Sequence, residues 1–235
     1  MRRNPHTQGP FQYARSGACL YHEAASRAYE WPMRKSARYA RIARLYDILD
    51  LPFEHGRYLP LRRELLRSLS GRILDAGVGT GRNIPFYPAG ADVVGIDASP
   101  EMLARARLRR DRLGARVELL EMDALRTGFP DSCFDAVVAA FLFCVLDEDE
   151  QLPALRELRR ICKPEGEIRI LEYAYSSDPV RRFAMRLWAP WVRFAFGAGF
   201  DRDTESYAAA AGLAVSAKRW LFRDIIKLLV LKPRR

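Results

Sequence analysis

Short apolar runs alternate with helical segments through most of the chain. In the segments 100–113 and 150–162, apolar residues recur every three or four positions, which predicts amphipathic helices. The apolar runs are short enough for buried strands, and they lie at Ile73-Leu74, 91–97, 116–121, 134–140 and 167–173. Strands that alternate with helices in this way predict a doubly wound α/β fold around a parallel sheet.

The C-terminal part breaks this alternation. Two extended runs, 213–221 and 225–231, are separated by a short link at Arg223 and Asp224. A link of this length joins antiparallel strands, so the sequence predicts a hairpin and a reversed last strand.

The N-terminal part divides into two regions. Residues 1–33 contain several prolines and glycines and no regular apolar pattern, which predicts a disordered tail or a start assigned too early, with Met33 as the true first residue. From 34 to 69 apolar residues return at helical spacing, with a break at Pro52, so two helices are predicted to cap one edge of the sheet. The predicted folded domain is therefore 34–235.

Three alternate glycines follow the first predicted strand. Gly77, Gly79 and Gly81 come shortly after Asp75, and residues 82–84 are predicted to open a helix. Glycines at such a turn let the chain bend and let a ligand approach the main chain, which indicates a nucleotide-type cofactor at this strand end. A glycine turn that binds no ligand has the same pattern.

The residues around the glycines discriminate between cofactors. Their spacing differs from the G-x-G-x-x-G of dinucleotide sites. The Asp75 carboxylate would repel a pyrophosphate at the helix terminus, whereas it would attract a cofactor with an ammonium and a sulfonium. S-adenosylmethionine meets this requirement and NAD does not.

The segment from Leu74 to Gly81 resembles the first motif of class I S-adenosylmethionine-dependent methyltransferases. The resemblance extends over about 46–235 and implies the fold of that class. This fold is a Rossmann-like, doubly wound, seven-stranded and mainly parallel sheet with a reversed last strand and N-terminal cap helices. The resemblance also implies S-adenosylmethionine as the cofactor.

Acidic residues close the next two predicted strands. Asp97 lies about 20 residues after the glycines, where an acid usually binds ribose hydroxyls, in NAD sites as well. In families that look alike, the acid at the position of Asp123 binds the adenine amino group, and the N–H of Ala124 binds a ring nitrogen. The implied cofactor-binding residues are Asp75, Gly77, Gly79, Thr80, Gly81, Asp97, Ala98, Met102, Asp123, Ala124 and Ala140.

Composition narrows the classes of partner. The 235 residues are 49% hydrophobic, which is enough for a large core, and no apolar run approaches the ~20 residues of a membrane span. The net charge of +10 favours an anionic partner, but the RNA-binding strand motif is missing, so we expect no nucleic acid. The four cysteines and three histidines lack metal-ligand spacing, so we predict no metal and reduced thiols in a cytoplasmic protein.

Other segments bear on the methyl acceptor. Residues 46–47 with 53–57, and 158–166 with 170–173, are similar to quinone-pathway and phospholipid N-methyltransferases. The His-Arg pair of the quinone enzymes' entry motif is missing, which argues against a quinol. The run 141–146 is instead similar to small-thiol methyltransferases.

Catalysis requires alignment of the acceptor, exclusion of water and, for an ammonium, phenol or thiol, removal of a proton. The candidate catalytic residues are Tyr46, His55 and Glu172. His55 titrates in the right range. Glu172 lies at the end of the fifth predicted strand, and Tyr46 is predicted to close the pocket.

The segment 180–196 combines arginines with large apolar side chains. When it is plotted on a helix, the arginines share one stripe and most of the large apolar side chains share another. The stripes are Arg182, Arg186 and Arg193, and Phe183, Leu187, Trp191 and Phe194. Such a helix suits an anionic membrane interface or the entry of an amphiphile, and a helix that covers the sheet has the same pattern.

These observations predict an S-adenosylmethionine-dependent methyltransferase for a small amphiphilic or lipid-like acceptor, with N-methylation of a phospholipid amine as the favoured case. A soluble thiol or hydroxyl compound is the alternative acceptor. A nucleotide-binding oxidoreductase or a cofactor-binding module without catalysis is the alternative from another class. The predicted location is the cytoplasm, with peripheral contact to an anionic membrane surface.

Overall fold

The computed structural model describes residues 58–234. The predicted tail 1–33, the first predicted cap helix and the candidates Tyr46 and His55 lie outside the described residues. Within the described part, no helix combines the length and the apolar character that crossing a bilayer requires.

A seven-stranded sheet forms the centre of the molecule. Its strands are β1 Arg72–Ala76, β2 Asp92–Asp97, β3 Glu118–Glu121, β4 Phe134–Ala140, β5 Cys162–Tyr173, β6 Leu213–Phe222 and β7 Ile226–Pro233. Across the sheet they follow the order β3-β2-β1-β4-β5-β7-β6. Strands β1 to β5 pair in parallel, and β7 is antiparallel to both of its neighbours. The predicted mainly parallel sheet with a reversed last strand is confirmed.

Helices cover both faces of this sheet. They are α1 Leu59–Leu66, α2 Pro100–Leu113, α3 Glu148–Ile161, α4 Pro179–Phe196 and α5 Thr204–Ala208, with a 3-10 helix at Ile84–Phe86. Side chains of α1 and α2 share one hydrophobic cluster with the sheet, and side chains of α3 and α5 share the other. This two-sided packing is why the central strands are apolar on both faces.

Helix α2 has the predicted bounds because both of its ends are capped. The Ser99 hydroxyl accepts a hydrogen bond from the Met102 N–H at 3.3 Å, and Pro100 occupies the first turn. Gly114 ends the helix with a left-handed φ of +59°.

The prediction that an α-helix opens at 82–84 is wrong. The chain forms turns and then the short 3-10 helix, after which Tyr87 is extended with ψ of 135°. The reason is Pro88, which disfavours the helical conformation of the residue before it and has no N–H for a helix.

Strand β5 begins earlier than the predicted 167. Cys162 already pairs with Phe134, and the register then shifts so that Ala136 pairs with Glu167. The intervening residues of β5 bulge from the ladder, because more residues separate the two pairs on β5 than on β4.

Candidate active site

A cleft opens at the carboxyl ends of β1 to β4. This is the edge at which parallel α/β sheets bind ligands. Its empty volume is about 1130 Å³ including the open space at its mouth. Nine of the eleven predicted cofactor-binding residues line it. They are Gly77, Gly79, Thr80, Asp97, Ala98, Met102, Asp123, Ala124 and Ala140.

The glycine turn contributes backbone to the cleft. Gly79 has a left-handed φ of +55°, and a Cβ added there would meet its nearest neighbour, the Gly77 carbonyl oxygen, only at 4.0 Å. The space next to Gly79 is therefore open for a ligand to approach the main chain.

Gly81, by contrast, serves packing and does not line the cleft. A Cβ at Gly81 would lie 2.6 Å from Ile84 Cδ1 and 3.1 Å from Ala106 Cα. Its missing side chain lets α2 approach the turn, and its contact with the cofactor stays a prediction.

Asp97 is held at the cleft by two backbone donors. The Gly79 N–H donates to Oδ2 and the Ser99 N–H donates to Oδ1, both at 2.9 Å. Burial raises the pKa of Asp97 to about 6, and these two hydrogen bonds partly oppose that rise. At pH 7 the side chain is mostly ionised and oriented in the cleft wall.

Asp75 lies behind the glycine turn and is not among the residues that line the cleft, and its contact with the cofactor stays a prediction. The Asn83 amide donates to both of its carboxylate oxygens at 2.9 and 3.1 Å, and the Tyr87 hydroxyl donates at 2.7 Å. Burial raises the pKa of Asp75 to about 6, and burial together with the neighbouring carboxylate raises the pKa of Tyr87. Asp75 is held behind the turn because these neutral donors enclose its carboxylate.

A buried arginine continues this network into the cleft. Arg62 Nη1 donates to Asn83 Oδ1 at 2.8 Å, and both side chains line the cleft. Sequence reasoning missed both residues. The signal for Arg62 was its place among Leu61, Leu65 and Leu66 on the buried side of α1, where a cation needs a partner.

The other wall of the cleft is apolar and aromatic. Phe141 follows β4 with a left-handed φ of +59°, a conformation that is costly for a phenylalanine and has to be held by its surroundings. Its N–H donates to the Leu171 carbonyl at 2.7 Å, and its carbonyl accepts from the Cys144 thiol at 2.9 Å. Leu142, Val145 and Leu146 line the cleft beside it.

Further aromatic rings pack behind Phe141. Its ring centroid lies 5.5 Å from Tyr58 and 4.8 Å from Tyr173, and the two tyrosine hydroxyls share a hydrogen bond of 2.6 Å. The Arg62 guanidinium lies 5.7 Å from the centroid of Phe141, within the range of a cation–π contact. The wall therefore presents an aromatic ring beside a cation.

Glu172 is enclosed beneath this wall and does not line the cleft. Its Oε2 accepts from the Thr204 hydroxyl at 2.6 Å, and its Oε1 lies 3.3 Å from Lys227 Nζ. Burial raises its pKa, and Lys227 opposes the rise. Glu172 therefore forms a buried ion pair and hydrogen bond that join β5, β7 and α5, and its catalytic role stays a prediction.

The match to known proteins centres on this cleft. A family model described as a methyltransferase domain matches residues 73–166. The chain is 39% identical over 138 residues to the phosphatidylethanolamine N-methyltransferase of Cereibacter sphaeroides, which covers 57% of this chain and 67% of that protein. It is also 39% identical over 142 residues to the demethylmenaquinone methyltransferase of Thermus thermophilus, covering 57% of this chain and 64% of that one.

The architecture agrees with solved structures of this kind. A SAM-dependent methyltransferase from Aquifex aeolicus superposes with a TM-score of 0.58 at 22% identity, covering 82% of this chain and 96% of the other. The chain belongs to the class I S-adenosylmethionine-dependent methyltransferases. It is an enzyme of this family, and its methyl donor is S-adenosylmethionine.

The cleft fits this donor chemically. The open backbone at Gly79 and the ionised Asp97 suit a ribose with two hydroxyls, which can donate to a carboxylate. Asp123 and the backbone of Ala124 lie at the end of β3 in the same cleft. No group of three or more metal-ligating side chains lies within the described residues 58–234.

Proposed function

We propose that the chain transfers the methyl group of S-adenosylmethionine to an amphiphilic, lipid-like acceptor, and that N-methylation of a phospholipid amine is the favoured case. The reaction is proposed to take place on the cytoplasmic side of a membrane. The observation that carries this proposal is the apolar and aromatic wall around Phe141. The relative in Cereibacter sphaeroides supports the same class of acceptor.

On the donor side, Asp97 is proposed to bind the ribose hydroxyls, while Asp123 and the Ala124 N–H bind the adenine. When bound, S-adenosylmethionine supplies a methyl group that its sulfonium has already activated. The task that remains for the residues of the cleft is to orient the acceptor and exclude water.

On the acceptor side, two neighbouring features match the two ends of a zwitterionic headgroup. An amine that acquires positive charge during transfer is attracted to the face of an aromatic ring such as Phe141. The Arg62 guanidinium, 5.7 Å from that ring, suits a phosphate. A phospholipid amine carries both groups a few bonds apart, and a simple thiol carries neither.

The proton that the amine loses requires an acceptor, and Tyr46 and His55 remain our predicted candidates. Glu172 is not carried forward, because Thr204 and Lys227 already occupy its carboxylate. We expect His55→Asn to lower kcat with little change in the affinity for S-adenosylhomocysteine, which titration calorimetry measures. A full-rate H55N enzyme would remove this residue from the proposal.

The Thermus thermophilus relative favours a second candidate, methylation of a quinol ring carbon, because its identity to this chain is the same. A quinol has an aromatic ring that could pack on Phe141, but it has no phosphate for Arg62. The two candidates therefore differ in their dependence on the arginine.

The test is transfer of radiolabelled methyl groups to three acceptors offered separately. They are vesicles that contain phosphatidylethanolamine, vesicles that contain a demethylated menaquinol, and a soluble thiol. We expect label in the phosphatidylethanolamine, as its N-methylated forms. Label confined to the quinol or to the thiol would overturn the proposed acceptor.

Two substitutions sharpen this assay. Phe141→Leu keeps an apolar wall but removes the ring, and we expect it to lower kcat/KM for the amine by about tenfold. Arg62→Met should raise KM for the phospholipid and leave a quinol unaffected. Leu108→Ala, an exposed position on α2, is the control that should retain the wild-type rate.

A further inference from the structure

Helix α4 presents an unusually apolar surface to solvent. Six of its large side chains are between 48% and 79% exposed. They are Val180, Phe183, Leu187, Trp188, Trp191 and Phe194. An isolated exposed leucine is ordinary, but six large apolar side chains on one helix form a contiguous patch of the kind that marks a binding surface.

The helix has three distinct faces. At 100° per residue, the six exposed apolar side chains fall within an arc of about 140°. Val192, which is buried, lies on a second face that meets the protein. Arg182, Arg186 and Arg193 form a third stripe next to the exposed apolar arc, and all three are exposed.

The charge of α4 has one sign. Its sequence contains four arginines and no acidic residue. Of these arginines, Arg181 is paired with Asp224 at the turn between β6 and β7. Arg193 lies 3.7 Å from Asp201 in an exposed pair, which water and salt screen. The three exposed arginines lie about 60–100° around the helix from one edge of the apolar arc, and their positive charge complements an anionic surface.

The helix is fixed so that this face points away from the protein. At its N-terminal end, the Asp178 side chain accepts from the Arg181 N–H at 2.8 Å, and Asp224 accepts from the Ser176 hydroxyl at 2.7 Å. Towards the C-terminal end, Val192 packs with Cys144 and Ala198. Both ends are tied to the rest of the fold, so contacts among the described residues 58–234 fix the orientation of α4.

We propose that α4 is a membrane-docking surface, which lies in the plane of an anionic bilayer with its apolar arc among the acyl chains and its arginines at the lipid phosphates. Two tryptophans within an apolar arc, of which Trp188 lies at one edge, are typical of the interface between headgroups and acyl chains. The helix is about 27 Å long and carries four arginines, which suits a position along the bilayer and opposes one across it. A second protein would need matched acidic groups as well as a flat apolar surface, whereas anionic lipids supply both without a specific shape.

The inference deepens the proposed function, because it names the surface from which a lipid acceptor would enter. The Val192 face of α4 packs on a cluster that includes Phe141 and Val145, which line the cleft. A bilayer on the outer face of α4 would therefore lie next to the apolar wall of the site.

The test is sedimentation of the full chain with vesicles of phosphatidylcholine alone and of phosphatidylcholine mixed with phosphatidylglycerol. We expect binding to the mixed vesicles that weakens as salt is raised, because the arginine–phosphate attraction is screened. The triple variant Phe183→Ser, Leu187→Ser, Phe194→Ser should bind the same vesicles more than about tenfold more weakly, because three large apolar side chains no longer enter the bilayer. Leu108→Ser, a similarly exposed leucine on another helix, is the matched control and should bind as the wild type does.

A second measurement does not depend on the triple variant. Brominated lipids should quench the tryptophan fluorescence of the wild type, and the Trp188→Phe, Trp191→Phe variant should lose most of that quenching. Failure of the wild type to bind anionic vesicles overturns the inference. So does a wild-type dimer that the triple variant dissociates while vesicle binding is unchanged, since a second copy would then cover the face.

The proposed function is tested separately, by a methyl-transfer assay with a short-chain phosphatidylethanolamine dispersed as monomers. If the wild type methylates this compound but does not bind vesicles, the docking surface is wrong and the acceptor class stands. If it binds vesicles but methylates neither form of phosphatidylethanolamine, the acceptor is wrong and the docking surface stands.

Discussion

The substitution Asp75→Asn tests the electrostatics of the network beneath the cleft. Asp75 is fully buried, and its carboxylate accepts hydrogen bonds from the Asn83 amide and the Tyr87 hydroxyl. Burial nevertheless raises its pKa from 3.8 to about 6. An asparagine has nearly the same shape but no charge to bury, so the variant removes the titrating group and little volume.

The expected effect is a pH-dependent difference in stability. Between about pH 4 and pH 6 the folded wild type holds a proton on Asp75 that the unfolded chain has released. The stability that this proton provides is fully present below the unfolded pKa of 3.8 and is lost as the pH rises through about 6. The difference between the pKa values of Asp75 in the folded and the unfolded state corresponds to about 3 kcal/mol of stability.

The variant has no such group. Relative to the wild type, its free energy of unfolding should therefore rise by about 3 kcal/mol as the pH is raised from about 4 to about 7. Urea titrations followed by tryptophan fluorescence at several pH values measure this change. The introduced amide meets the amide of Asn83, and the mismatch between these two groups adds an offset that does not vary with pH. Glu118→Gln, an exposed acid on β3, is the control for general charge effects. A difference between D75N and wild type that stays constant with pH would refute the reasoning, because Asp75 would then titrate as it does in the unfolded chain.

Three further predictions concern other parts of the molecule. Asp97→Asn should weaken S-adenosylhomocysteine binding by ~1–3 kcal/mol, measured by calorimetry, because a charged hydrogen-bond acceptor for the ribose is lost. An unchanged affinity would mean that the ribose is held elsewhere. Glu172→Gln should lower the free energy of unfolding by ~1–3 kcal/mol, because the buried Lys227 then has only Glu205, 3.8 Å away, as a counter-charge. The folded variant should retain kcat, and a loss of kcat without loss of stability would support Glu172 as a catalytic residue. Leu155→Ala should cost ~2–5 kcal/mol in urea unfolding, since the side chain is fully buried in the cluster beneath α3, and a cost near zero would contradict that packing.

The elements that sequence reasoning located best are those with local signals. Helix α2 has its hydroxyl cap at Ser99, its proline in the first turn and its glycine at the end, all within the segment itself. Strand β4 is apolar except for Asp135, and the hairpin of β6 and β7 is fixed by the shortness of its link. In these cases neighbouring residues determine the structure, so the bounds follow from the sequence with little error.

The features that sequence reasoning missed depend on residues that are distant in the chain. The hydrogen bonds of Arg62 to Asn83 and of Asn83 to Asp75 span 21 and 8 residues. The ion pair of Glu172 with Lys227 forms only because β7 returns between β5 and β6. An acid at the end of a strand looks the same in the sequence whether it faces the cleft, as Asp97 does, or is enclosed behind it.

Donor and acceptor sites draw on different parts of the chain. The family model matches residues 73–166, and the glycine turn, Asp97 and Asp123 all lie inside that match. Phe141 is also inside it, but the rings that support Phe141, on Tyr58 and Tyr173, lie on either side, and α4 lies beyond its end. Two relatives with different acceptors in their names are equally identical to this chain, so overall identity does not discriminate between these acceptors. In the proposed function the choice of acceptor depends on the surroundings of the Phe141 wall, and we predict that altering Arg62, Tyr58 or α4, with the donor residues intact, changes it.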